Sequence, residues 1–298
     1  MLTLVAILVD GLIYASWLFM VAAGLTLIYG VMKILNMAHG SLFAIGAYTS
    51  SWLAGWYFTG SGNPTWGYAM MLGGAILAGA LVGFILERGL LRFLYGRDPV
   101  VMILLTYAVL LILEDVIKLV WGVDPYFAYQ PYTLFGRSQL GPLTFSNYDF
   151  GVILIAAIIG LGLWWGLNRT RFGKLLLAVI HDREMSVALG IDVRTYLMLT
   201  FVIGSILGCI AGAVTAPSLS VAPGIGVEVI VLAFAVVVIG GLGSVGGALA
   251  GALIVGFSRA TAVHLLPQVE LFVIFGVMSL VLVVRPQGLF GRAPPRKI

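Results

Sequence analysis

The chain has 298 residues, of which 61% are hydrophobic and 9% are charged, and its formal net charge is +4. Soluble domains carry about 25% charged residues, so this composition excludes an ordinary soluble enzyme or nucleic-acid-binding protein and indicates an integral membrane protein. A single cysteine excludes an internal disulfide, and the 39 glycines are typical of closely packed membrane helices.

Apolar runs recur along the whole length, each near the roughly 20 residues that a membrane-spanning helix needs. The first run contains Asp10 and follows no basic region, so we expect a retained helix rather than a signal peptide. We predict an all-α polytopic membrane helix bundle that forms a single domain over 1–298, with about eight or nine transmembrane helices. The predicted passes cover about 4–29, 30–56, 68–86, 100–121, 150–167, 196–214, 227–239, 248–263 and 271–284.

Glycines and polar side chains interrupt two apolar runs, and we predict broken or re-entrant helices near 30–48 and 239–248. Paired broken helices in the two halves of a transporter often lie near the substrate path. Helix capping is the alternative role for the polar side chains, and helix packing is the alternative for the glycines. The residues predicted for the translocation path or its gating are Asn36, His39, Gly40, Gly240, Gly241, Gly243 and Ser244.

Several charged residues fall inside apolar runs, where an ionisable side chain needs a partner. Glu114 and Lys118 are four residues apart on one helical face, and this spacing predicts a local ion pair. Asp10 and Arg259 are isolated, so each is expected to find its partner in another helix or chain.

The sequence offers no sign of catalysis or of a bound cofactor. Gly241, Gly243 and Gly246 form a G-x-G-x-x-G pattern, but membrane-length apolar runs flank it instead of a βαβ unit. No histidine, cysteine or carboxylate cluster has the spacing of metal ligands. We therefore expect no nucleotide, metal or catalytic residue in this chain.

The distribution of basic residues predicts the orientation in the membrane. The segments 87–98, 169–194 and 285–298 hold twelve of the 16 Lys and Arg residues, whereas 122–148 holds only Arg137. Basic loops stay on the cytoplasmic side. This predicts an outside N-terminus, an outside 122–148 loop and a cytoplasmic C-terminus.

The cytoplasmic loop 169–193 contains the pattern of a short amphipathic helix. Asp182 is a favourable N-cap and Gly190 a favourable stop, which predicts a helix over 183–189. Met185, Ala188 and Leu189 then share one face. This face docks either into a groove of another protein or against the base of the chain itself, and the pattern favours neither.

Four segments occur in the order of a known family: GLTLIYGVMKILNMAHGSLFAIGAY, RTRFGKLLLAVIHDREMSVALGIDV, VVVIGGLGSVGGALAGALIVG and RPQGLFG. Together they resemble the permease subunit of high-affinity branched-chain amino-acid ABC importers, the LivH-type family, over nearly the whole chain. The resemblance implies a transport subunit of the bacterial inner membrane rather than an enzyme. It also implies a second related permease, two cytoplasmic ATPase subunits that hold ATP and Mg²⁺, and a periplasmic substrate-binding protein.

In such importers a cytoplasmic helix of the permease docks into the ATPase, and the resemblance places that helix in the 169–193 loop. Two alanines follow the glutamate in the strongest form of the motif, whereas Met185 and Ser186 follow Glu184 here. The implied coupling residues are Asp182, Arg183, Glu184, Met185, Ala188, Leu189 and Gly190.

Two alternative functions stay open from the sequence. One is an importer of the same family for another small solute, such as urea, an aromatic acid or a short-chain amide. The other is a secondary transporter, which needs a relay of intramembrane carboxylates. Asp10 and Glu114 alone give that reading little support.

Overall fold

The computed structural model describes residues 2–58, 64–93, 95–128, 130–140 and 142–291. Within these ranges the chain forms twelve α-helices and one antiparallel hairpin, β1 (Arg137–Leu140) and β2 (Leu143–Ser146). The helices are α1 (Leu2–Met32), α2 (His39–Phe58), α3 (Pro64–Gly89), α4 (Pro99–Trp121), α5 (Gln130–Leu134), α6 (Asn147–Arg169), α7 (Arg171–His181), α8 (Arg183–Ala188), α9 (Val193–Thr215), α10 (Ile225–Gly240), α11 (Val245–Leu265) and α12 (Glu270–Val284).

Seven of the described helical segments are long and apolar enough to cross a membrane: α1, α3, α4, α6, α9, α11 and Pro267–Val284, which joins a 3₁₀ turn to α12. This confirms the predicted polytopic helix bundle. The short hairpin of β1 and β2 was not part of the predicted all-α fold. The other two predicted passes correspond to α2 and to α10, which has only 16 residues. Both predicted breaks occur, at 33–38 and at 241–244.

Both α2 and α10 begin inside the bundle rather than at its surface. The imidazole of His39, the first residue of α2, lies 3.0 Å from the carbonyl oxygen of Val21 in the middle of α1. The start of α10 meets the start of α2, because a Cβ at Gly40 would lie 2.1 Å from the carbonyl oxygen of Gly226. Only glycine permits so close an approach of two backbones.

The pairs α1–α2 and α9–α10 form two similar units. In each, a long helix is followed by a non-helical stretch, 33–38 or 219–224, and then by a helix that starts within the bundle. The long helices also cross at glycines, since a Cβ at Gly24 would lie 2.7 Å from the carbonyl oxygen of Gly204. The stretch that corresponds to the first break is therefore 219–224, whereas the sequence pattern had paired the first break with 239–248.

The packing separates central helices from peripheral ones. In α9, 67% of the most apolar 18-residue stretch is buried, against 11% in α6 and 6% in α12. The centre of α1 and most of α10 are likewise buried in the largest hydrophobic cluster. The apolar but exposed surfaces of α6 and α12 thus face a membrane or another protein, and the glycine-rich crossings lie at the centre.

The connection between α4 and α6 is partly ordered by contacts with a distant part of the chain. Tyr126 and Val221 exchange backbone hydrogen bonds of 2.9 and 3.0 Å. The hydroxyl of Tyr148, at the start of α6, donates to the carbonyl oxygen of Val214 at 2.8 Å. These bonds tie the predicted outside loop to the end of α9 and to the stretch that leads into α10.

Candidate functional site

The short helix α8 forms where its local capping signals predict it. The carboxylate of Asp182 accepts a hydrogen bond from the backbone nitrogen of Met185 at 2.9 Å, which satisfies one of the free donors at the helix start. Gly190 has a φ of +79°, the left-handed conformation that ends a helix. The helix ends at Ala188, one residue earlier than predicted, and Leu189 occupies the C-cap position.

The apolar side chains of α8 point away from the rest of the chain. Met185 is 57% exposed, Val187 59% and Leu189 73%, whereas only Ser186 is buried. Ala188 is exposed as well. A helix docked against its own base would bury these side chains, so their exposure argues against that alternative.

A second helix of the 169–193 loop, α7, contacts α8 and was not predicted. Thr170 caps it by accepting from the backbone nitrogen of Gly173 at 3.1 Å. Leu176 and Val179 are buried, and Val179 packs with residues of α9. The sequence pattern that could have predicted α7 is an N-cap threonine, Thr170, followed by apolar residues three apart, Leu176 and Val179. It went unrecognised because the basic residues of this segment were interpreted as a loop.

At the first break, Asn36 and His39 are buried but do not cap helix ends with their side chains. Neither the nitrogen nor the oxygen of the Asn36 amide has a hydrogen-bond partner among the described residues. His39 bonds Val21 through Nε2, and its Nδ1 has no partner within the same ranges. The capping role is therefore wrong for both. Unpaired buried polar groups are rare in folded proteins and mark places where a ligand or another conformation would satisfy them.

Glu114 makes a different contact from the predicted one. Its Oε2 accepts a hydrogen bond from the backbone nitrogen of Gly224 at 3.0 Å, and the residue is buried. Lys118 instead pairs with Asp115 at 3.0 Å on an exposed face. The predicted Glu114–Lys118 ion pair is thus wrong. A carboxylate of α4 holds the start of α10, where negative charge is favourable.

The second break is a tight turn between α10 and α11. Gly240 ends α10, and Gly243 packs on α1, because a Cβ there would lie 3.1 Å from the Cα of Gly30. The hydroxyl of Ser244 caps α11 by accepting from the backbone nitrogen of Gly247 at 3.1 Å. These contacts agree with the alternative packing and capping roles and do not test a role in gating.

The RPQGLFG segment closes the same turn. Leu289 and Phe290 donate backbone hydrogen bonds of 2.9 Å to the carbonyl oxygens of Ile239 and Gly240. Gly241, with a φ of +103°, lies against the backbone of Gly291. Two of the segments that carry the family resemblance therefore pack directly together.

The two groups of predicted path residues lie at opposite ends of α10. Gly40 meets Gly226 near its first residue, whereas Gly240 is its last residue. An α-helix rises 1.5 Å per residue, so about 21 Å separates the two ends. Gly243 also lines an apolar crevice of about 710 Å³ between α1, α6 and α11. The structure does not bring the seven residues into one site.

The isolated charges have partners in other helices, as predicted. Asp10 of α1 lies 2.7 Å from the Nε2 atom of His264 in α11. Arg259 of α11 pairs with Glu270 of α12 at 2.5 Å and lies over the ring of Tyr14 at 3.9 Å. Among the described residues, no three histidine, cysteine or carboxylate side chains are grouped as metal ligands.

Seven membrane-length helical segments and two helices that begin inside the bundle together define a polytopic membrane protein. The family described as branched-chain amino acid transport system, permease component, matches residues 7–284, and the chain belongs to this family. It is a LivH-type, multi-pass inner-membrane permease of an ABC importer, a transport subunit that works in a complex with other subunits.

Two relatives match nearly end to end. The high-affinity branched-chain amino acid transport system permease protein BraD of Pseudomonas aeruginosa is 29% identical over 98% of this chain and 97% of its own. The corresponding LivH protein of Escherichia coli K12 is 26% identical over 97% of this chain and 96% of its own. These similarities favour the ABC importer over the secondary transporter.

Proposed function

We propose that this chain forms part of the translocation path for branched-chain amino acids and couples that path to ATP hydrolysis on separate cytoplasmic subunits. The observation that carries the coupling role is the capped helix α8, whose Met185, Val187 and Leu189 are exposed. ATP and Mg²⁺ bind the two ATPase subunits and not this chain. The relatives named for branched-chain amino-acid transport support the substrate class.

The proposed mechanism transmits motion through protein contacts. ATP binding closes the ATPase pair, α8 follows it, and α7 and α9 carry the movement into the bundle because α8 lies between them in the chain. A second, related permease completes the path, and a periplasmic binding protein delivers the substrate. The unpaired amide of Asn36 and the crevice beside Gly243 support the proposed path residues.

ATP-driven uptake tests this function. We expect membrane vesicles that contain the chain, its second permease, its ATPase pair and its binding protein to accumulate labelled leucine when ATP is inside. Uptake should survive collapse of the proton gradient and should stop with a non-hydrolysable ATP analogue. Uptake of urea but not of leucine would contradict the substrate class, and uptake that follows the proton gradient would contradict the mechanism.

Cysteine labelling tests the proposed orientation, with the N-terminus outside and the C-terminus inside. We expect Gln139→Cys, in the hairpin, to react with a membrane-impermeant maleimide in intact spheroplasts. Glu184→Cys, in α8, should react only after permeabilisation, because basic segments stay in the cytoplasm. The single native cysteine, Cys209, is buried and should not react with the maleimide. The reverse labelling pattern would overturn the orientation.

A further inference from the structure

A small pocket with a basic mouth lies where the end of α1 meets the start of α4, beside α7 and α8. Its volume is about 260 Å³. Ile34, Met102 and Leu197 are buried residues of its apolar wall. Three side chains that carry a positive charge also line it, Lys33, Arg97 and Arg183, and no acidic residue does.

The three cations have no carboxylate partner in the part of the chain that the structure describes. The Nζ atom of Lys33 lies 5.7 Å from the ring centre of Tyr29, which offers only a weak contact. The buried carboxylate of Glu87 accepts a hydrogen bond from the hydroxyl of Tyr95 at 2.9 Å and does not line the pocket. An anion in the pocket would relieve the repulsion between the cations.

The backbone of Lys33 gives an independent indication that its side chain is needed. Lys33 has a φ of +56° and is the one non-glycine residue with positive φ among the described residues. Its backbone nitrogen donates to the carbonyl oxygen of Tyr29 at 2.9 Å, so it ends α1 at a position where glycine is usual. A strained residue that glycine would relieve points to a function of the side chain.

The position of the pocket favours a lipid over a protein as the source of the anion. Pro99 is the first residue of the membrane-spanning helix α4, and Val100 and Leu104 beyond it are exposed apolar residues. The exposed apolar side chains of α8 do not line the pocket, and Arg183 is the residue of that helix that does. Basic pockets between membrane helices on the cytoplasmic side suit the phosphates of anionic lipids.

We propose that this pocket binds a phosphate group, supplied by an anionic phospholipid, and that the bound phosphate ties Arg183 of α8 to the ends of α1 and α4. The binding of phosphate does not require α8 to dock on an ATPase subunit, although the pocket uses Arg183, which is also one of the implied coupling residues. It would make the position of α8 depend on the lipid composition of the inner leaflet.

Native mass spectrometry of the purified chain tests the site. After reconstitution in equal phosphatidylglycerol and phosphatidylcholine, the chain should retain phosphatidylglycerol preferentially. Lys33→Gly, Arg97→Gln and Arg183→Gln should each lower that preference about five-fold, as expected for roughly 1 kcal/mol per basic residue. The matched controls are Arg88→Gln and Arg92→Gln, which remove exposed cations that do not line the pocket. They should change the preference for phosphatidylglycerol little.

Lys33→Gly separates binding from folding, because glycine removes the backbone strain. Its thermal unfolding temperature without lipid should equal or exceed that of the unmodified chain, while its lipid preference falls. Inorganic phosphate that raises the unfolding temperature of the unmodified chain in neutral detergent, but not of the Lys33→Gly variant, identifies a site for free phosphate as well.

Three outcomes would overturn the proposal. One is retention of both lipids equally, with no effect of inorganic phosphate. Another is an equal loss of preference in the Arg88→Gln and Arg92→Gln controls, which would indicate a diffuse basic surface. The third is loss of ATPase-subunit binding in Lys33→Gly with lipid preference unchanged, which would assign the pocket to an acidic protein segment.

Discussion

Leu189→Asp is expected to abolish coupled uptake while the chain still inserts and folds. Leu189 is 73% exposed at the end of α8 and contributes little to the stability of the isolated chain. If it packs in a groove of the ATPase subunit, a carboxylate there would be buried without a partner, at a cost of several kcal/mol. We therefore expect leucine uptake by the reconstituted complex to fall about 30-fold or more, in keeping with a loss of at least 2 kcal/mol.

Both uptake and ATP hydrolysis must be measured, because their ratio reports coupling. Hydrolysis by the ATPase pair should continue without uptake, or the ATPase subunits should dissociate from the membrane complex. Leu189→Met is the matched control, since it keeps an apolar side chain of similar volume and should transport normally. Normal uptake by Leu189→Asp would show that α8 does not dock through this residue.

Gly40→Ala is expected to destabilise the junction at which α2 and α10 begin. The added Cβ would lie 2.1 Å from the carbonyl oxygen of Gly226 and 2.8 Å from the Cβ of Ile230, so the backbones must move apart. Overpacking of this kind costs about 1–3 kcal/mol, and the backbone contact places this case at the upper end. Thermal unfolding in detergent, followed by tryptophan fluorescence, measures the loss.

Gly55→Ala is the matched control for this prediction, because Gly55 lies in the same helix and, among the described residues, no atom outside its own helical turns lies within 4 Å of the added Cβ. There alanine should leave stability unchanged or raise it by up to about 1 kcal/mol, as helix propensity predicts. Equal unfolding temperatures for both variants would show that the Gly40–Gly226 contact does not hold the two helices together.

The helix bundle could be predicted from the sequence because a membrane requires long apolar segments. Hydrocarbon requires long apolar runs with internally paired backbones, so the seven long helices could be recognised from composition. The same reasoning missed α7, whose basic residues resembled a loop. The depth at which α2 and α10 begin depends on the Gly40–Gly226 contact, and no local pattern reports a contact between segments so far apart in the chain.

In the candidate site, too, local contacts could be predicted from the sequence and distant contacts could not. The caps of α8 are local, since Asp182 bonds a nitrogen three residues ahead, and they were predicted correctly. Glu114 was assigned to the wrong partner because helix spacing alone permits Lys118 to approach either Glu114 or Asp115. Gly224, which bonds Glu114, lies far along the chain, so only the tertiary structure identifies it.

The hydrogen bonds from Leu289 and Phe290 to the end of α10 have a consequence for how the protein is made. The ribosome synthesises these residues only after α11 and α12, so α10 enters the membrane with its last carbonyls still unpaired. A nascent chain therefore cannot complete the hydrogen bonds at the end of α10 until Leu289 and Phe290 have been synthesised. Premature termination before Leu289 should therefore yield a fully inserted but incompletely folded product, which membrane proteases would degrade.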